Sequence, residues 1–280
     1  MLRLLIHALA VMAGLEGPAL TPQLGWTPTV PVSVPVPAAD LGPAELLGDD
    51  VLVDRSRVLR LNGDVLYPFD PSVKEVDLVI FWPWLGYGPQ RMVLEHERYG
   101  VAAALSASGI DPHGPSQVLV LVVKEPRRAW KRVAQTIERL RSEHGVRVVS
   151  KTLGCWSGGA SGASTALNAD EDFVGWFMAD PSPSVARRRA WPKDTPLARV
   201  QTIEVWRNSN NWGSQAGPGG YYRRDITHFL EAVEQLGGES TETTRHHKEL
   251  LFMGMTAAIK AARSASDLTV YDAVSDSNER

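Results

Sequence analysis

Short apolar runs alternating with helix-patterned segments predict an α/β fold: a mainly parallel central sheet with helices on both faces, preceded by an extended Pro-rich N-terminal arm. Two observations carry this expectation. Val76–Trp82 and Gln117–Val123 are dense in Val, Leu and Ile, as strands are when both sheet faces are covered. Ala129–Glu143 repeats Val133, Ile137 and Leu140 at helical spacing and stops at Gly145. With 280 residues, 44% of them hydrophobic, the chain can bury one large core. Residues 1–50 read as an N-terminal segment and arm, and 51–280 as the α/β domain.

Met1-Leu2-Arg3 and the apolar run to Leu15 resemble a short signal peptide, and read equally as an amphipathic helix packed on the body. No segment reaches the roughly 20 apolar residues of a transmembrane helix, so the chain is expected to be soluble. Between Pro18 and Pro43 the spacing of Pro28, Pro31, Pro35 and Pro37 forbids helix and central strand. That arm reads either as a segment laid over the body or as a docking arm for a protein partner. A net charge of -3 offers no general attraction for nucleic acid or anionic lipid. Cys155, the single cysteine, excludes an internal disulfide.

Val51–Tyr67 alternates around Asn62-Gly63-Asp64 and predicts a β-hairpin. A helix is expected over Arg91–Ser108. Beyond Gly145 the pattern gives a strand over Val146–Leu153, a helix including Ser161–Leu167, and strands over Phe173–Ala179 and Val200–Trp206. Helices over Ile226–Leu236 and Lys248–Arg263 close the chain.

The stretch VRVVSKTLGCWSGGASGA, Val146–Ala163, holds the strongest chemical signal. A strand runs straight into Cys155-Trp156-Ser157-Gly158-Gly159 and then into a helix of small residues. A nucleophile on such a strained turn needs small residues two before and two after it, and Cys155 and Gly159 meet that need around Ser157. Here the sequence resembles the α/β-hydrolase family, over about Val76–Arg263, although Cys155 replaces the first glycine of G-x-S-x-G. Ser161 also has small neighbours two positions away, but falls where the helix is under way. Cys155 as nucleophile would put Leu153 where a small residue is needed. A Gly-rich turn with no nucleophile is a further reading, and no Lys follows the glycines as in a phosphate-binding loop.

The resemblance implies a triad in the order Ser, acid, His. The apolar strand ending at Asp180-Pro181-Ser-Pro183 looks like pancreatic-type lipases, and it nominates Asp180 as the acid. Pro181 is expected to hold Asp180 in extended backbone geometry. Asp225 competes, although Asp225-Ile-Thr-His also reads as a helix N-cap. Asn210 or Asn211 offers an amide in place of an acid. The histidine should lie in a loop between the last strand and the final helix, which nominates His247, with His246 as the alternative.

An oxyanion needs two N–H donors. Gly158 would give one, and Trp84 or Leu85, in the loop after Val76–Trp82, the other; the His-Gly pair common in the family is absent there. Among nine tryptophans, Trp156 and Trp212 are nominated for a substrate pocket, while Trp82, Trp176 and Trp206 read as core. The resemblance implies a serine hydrolase of the esterase or lipase type, acting on a small-molecule or lipid-like acyl substrate. It implies no cofactor, and no residue cluster has metal-ligand spacing. An inert hydrolase-fold component of a larger assembly is the rival reading.

Overall fold

The computed structural model describes residues 52–83, 87–94, 98–124, 129–166, 173–181, 200, 202–208, 229–231, 233–235 and 237–277, with main chain only at 129, 161, 164 and 265–277. The N-terminal segment 1–50, with the Pro-rich arm and the signal-like start, lies outside the described residues.

Eight strands form one sheet: β1 (Leu59–Leu61), β2 (Asp64–Tyr67), β3 (Glu75–Trp82), β4 (Val118–Val122), β5 (Arg147–Trp156), β6 (Gly175–Ala179), β7 (Thr202–Asn208) and β8 (Glu239–Thr243). Their order across the sheet is β1-β2-β4-β3-β5-β6-β7-β8. β1 and β2 form the expected hairpin around Asn62-Gly63, and β2 pairs antiparallel with β4; every pair from β4 to β8 is parallel. Five helices carry labels here: α1 (Pro89–Leu94), α2 (Val101–Ala107), α3 (Ala129–His144), α4 (Ala160–Ala166) and α5 (His247–Ser277).

The apolar runs explain the layering. β3, β4 and β6 are buried almost throughout, so each strand sends alternate side chains to two covered faces. On one face Leu78, Ile80, Leu121, Leu153, Cys155, Trp176 and Met178 pack with Val133 and Leu140 of α3 and Ala160 and Ala163 of α4. The other face is covered by α5, which runs against β3, β5 and β6 and against α2. That helix comes down tightly: a Cβ added to Gly254 would stand 2.8 Å from Ala179 Cβ. Only glycine lets α5 settle so close to the end of β6.

The structure departs from expectation at three places. The single helix over Arg91–Ser108 is two, because Gly100 adopts an extended conformation and caps a new start at Val101. β8 was not anticipated at all. It is a short edge strand whose five residues, Glu-Ser-Thr-Glu-Thr, include no apolar side chain, so no alternation marks it. β5 also continues three residues past its expected end, through Gly154 and Cys155 to Trp156.

The chain passes from β3 outward to β4, then returns across β3 to begin β5 on its far side. In open α/β sheets, ligands bind beyond the carboxyl ends of the strands at such a reversal.

Glu204, midway along β7, lies directly across from Glu239 of β8. Burial, and secondarily the Glu239 charge, raises its carboxyl pKa to about 7. The folded state therefore holds a proton there that the unfolded chain releases near pH 4.5, so this group weakens stability as pH rises between those values, and the full cost persists above about 7. Glu204→Gln should raise the thermal midpoint by about 2–4 °C at pH 8 and leave it unchanged at pH 4, measured by thermal melts at both values.

Candidate active site

Ser157 directly follows Trp156, the last residue of β5. Trp156 is still extended, whereas Ser157 turns to φ 53° and starts a single 3₁₀ turn, Ser157–Gly159, that leads into α4. A non-glycine residue in this left-handed region costs of order 1–3 kcal/mol and persists where its surroundings over-determine it. The turn is pressed against the chain leaving β3: a Cβ on Gly159 would lie 2.1 Å from the Trp82 carbonyl oxygen. Ser157 itself is half-buried.

Asp180 leaves the end of β6 and is 3% exposed. Its N–H donates to the Trp206 carbonyl at 2.6 Å, and its Oδ1 accepts from the Asn208 N–H at 3.0 Å. Its Oδ2 meets Nδ1 of His247. The backbone expectation is corrected: Asp180 sits at φ 41°, not in extended geometry. The preference imposed by a following proline is a tendency, and the two hydrogen bonds to β7 override it, aided by the tolerance of Asp for this region.

The two histidines have different surroundings. His246 is exposed and caps α5; its Nδ1 accepts from the Lys248 N–H, and its own N–H donates to Glu249 Oε2, both at 3.3 Å. The two bonds satisfy two main-chain donors at the helix start, as N-capping side chains do. His247, the first residue of α5, faces Asp180 instead. With Nδ1–H donating to that carboxylate, Nε2 is left as the basic nitrogen.

Trp156, a candidate for the substrate pocket, packs against two other rings. It is 2% exposed and wedged between Tyr87 and His247, with ring centroids 5.3 Å and 4.6 Å away. Its Nε1–H donates to the His247 carbonyl at 3.0 Å. Cys155 is fully buried, and burial drives its thiol pKa far up, so it supplies no thiolate. Ser161 lies inside α4. Gly158 follows Ser157 within the turn. Trp84, Leu85, Asn210, Asn211, Trp212 and Asp225 lie outside the described residues.

One residue at the site went unnoticed in the sequence. Asn208, at the end of β7, gives its main-chain N–H to Asp180 and its side-chain Nδ2–H to the Arg245 carbonyl. The available signal was strand register, since Ala179 aligns with Trp206 and places Asp180 near the end of β7.

A sheet reversing its order at β3 and β5, a strained serine at that reversal, and a strand-end acid bonded to a later histidine decide the architecture. The chain has the α/β-hydrolase fold. Among solved α/β-hydrolase-fold structures it is similar to an S-formylglutathione hydrolase from Agrobacterium tumefaciens, at 13% identity over 74% of this chain and 93% of that one, with a TM-score of 0.47. A fungal esterase from Rhizomucor miehei matches at 9% identity over 79% and 86%, with a TM-score of 0.47. The siderophore hydrolase EstB from Aspergillus nidulans matches at 10% identity over 75% and 95%, with a TM-score of 0.43. No family model and no curated protein sequence matches. Among the described residues no group of three or more His, Cys, Asp or Glu side chains is placed to hold a metal ion, and no helix is long and apolar enough to cross a membrane.

Gly159→Ala should destabilise the α/β-hydrolase fold by about 3 kcal/mol or more, because the contact it creates is with backbone that cannot yield. Urea denaturation against the parent protein reads the loss; an unchanged midpoint would contradict the close approach.

Proposed function

We propose that this protein is a serine hydrolase that cleaves a carboxylic ester or related acyl bond through Ser157, His247 and Asp180. The observation that carries the reading is the contact between His247 Nδ1 and the buried Asp180 carboxylate, made beside the strained turn that bears Ser157.

In this reading His247 Nε2 takes the proton of Ser157 Oγ as the oxygen attacks the acyl carbon. The oxyanion that forms is met by the Gly158 N–H and by a second N–H from the loop after β3, for which Trp84 and Leu85 are the candidates. The imidazolium then gives its proton to the departing alcohol. Water, deprotonated by the same nitrogen, releases the acid from the acyl-enzyme and restores the serine. Asp180 keeps Nδ1 protonated and balances the imidazolium charge; its second oxygen is already occupied by the Asn208 N–H, so the carboxylate cannot swing away. The substrate class is a small-molecule or lipid-like acyl compound, bound beyond the carboxyl ends of β3 and β5.

Labelling by a fluorophosphonate probe tests the reading, since an activated serine reacts and an ordinary one does not. Ser157→Ala should abolish labelling and ester hydrolysis with the thermal midpoint held within a few degrees. His247→Ala should remove activity while His246→Ala retains most of it, and Asp180→Asn should lower kcat by about 10⁴-fold through the wrong tautomer. A wild-type protein inert to the probe and to a panel of short and long acyl esters would favour a binding or structural role for the fold.

A further inference from the structure

We infer that Asn208 is a positioning residue, whose side-chain amide fixes the segment carrying His247 so that the imidazole meets Asp180. The inference deepens the triad reading and rests on it.

The geometry sets the problem. Asp180 follows β6, but His247 arrives after β8, with β7 lying between them. The histidine must reach back across a strand, and residues 244–246 form the whole connection from β8 to α5. A short link with no anchor would let the ring shift by an ångström or more, enough to misalign a proton transfer.

Asn208 stands where an anchor is needed. It ends β7, aligned with Thr243 at the end of β8, and is 6% exposed. Its two donors point to the two halves of the pair: the main-chain N–H to Asp180 Oδ1, and Nδ2–H to the carbonyl of Arg245, two residues before His247. The link is held further by the Arg245 N–H, which donates to Thr243 Oγ1 at 3.2 Å. The Trp156 indole holds the His247 carbonyl from the other side, so the carbonyls at 245 and 247 are both tied to strand ends.

Because the bond to Asp180 uses the main chain, side-chain substitution leaves it in place while removing the tie to Arg245. Asn208→Leu keeps the bulk and loses the donor; Asn208→Ala loses both. Each should lower kcat for an ester substrate by about 10- to 100-fold while KM stays within about twofold, assayed well below the melting transition. A residue that served stability would instead lower the melting midpoint and leave kcat per folded molecule unmoved. A kcat within about twofold of the parent in either folded variant overturns the inference, as does failure of both variants to fold, which would make Asn208 structural. Ser157→Ala and His247→Ala run alongside separate the two readings: if those retain activity the triad reading falls, and if they lose it while Asn208→Leu does not, the positioning role falls and the triad stands.

Discussion

Parallel register is the constraint on which the site depends. Trp82 aligns with Cys155, Ala179 with Trp206, and Asn208 with Thr243, so the strands from β3 to β8 end along one edge of the sheet. Neighbouring strands stand about 4.8 Å apart. A serine one residue beyond β5 and an acid one residue beyond β6 are thereby brought near each other by hydrogen bonding of the sheet, with no further device. The histidine is the exception, since its strand is two removed from the acid. The solution is a helix rather than a longer loop: α5 crosses back over β5 and β6, and His247 is its first residue. The glycine at 254 belongs to the same solution, because it lets α5 lie close enough against Ala179 for its first turn to reach Asp180.

The backbone carries strain where that edge is used. Three described non-glycine residues have positive φ: Asn62, Ser157 and Asp180. Asn62 heads an Asn-Gly hairpin turn, where Asn is chemically suited to the conformation. The other two sit at strand ends at the site, and each is held from several directions. Ser157 is fixed by the seating of Gly159 on the Trp82 carbonyl, and Asp180 by its two hydrogen bonds to β7. The well-packed faces of the sheet sustain these local costs, so strain at the strand ends and burial along the strands are parts of one arrangement.

Much of this was legible in the sequence, for reasons that differ by residue. The central strands announce themselves because burial on both faces demands unbroken Val, Leu and Ile. The turn at Ser157 was readable because strain there excludes large neighbours, and Gly159 records that exclusion. What escaped was set by tertiary neighbours. β8 has no apolar face to betray it, since it is a solvent-exposed edge joined to the sheet through backbone bonds. The break at Gly100 lay inside an otherwise helical pattern. The conformation of Asp180 was misjudged because a local rule about proline yields to bonds made across two strands. The packing of the Trp156 indole between Tyr87 and His247 likewise joins segments far apart in sequence. Asn208 joins two segments far apart in sequence, and only the register of three strands shows what it touches.

The unequal exposure of the histidine and its acid bears on chemistry. The Asp180 side chain is 1% exposed and the His247 side chain 29%. Sealing the carboxylate from water lowers the local dielectric and strengthens its bond to Nδ1–H, while the Trp156 indole closes one side of the imidazole. In the proposed mechanism a fully buried imidazole would resist the charge of proton transfer, and a fully exposed one would lose its orientation to thermal motion. A buried acid and a part-exposed histidine meet both demands, and both follow from α5 beginning where the strands end.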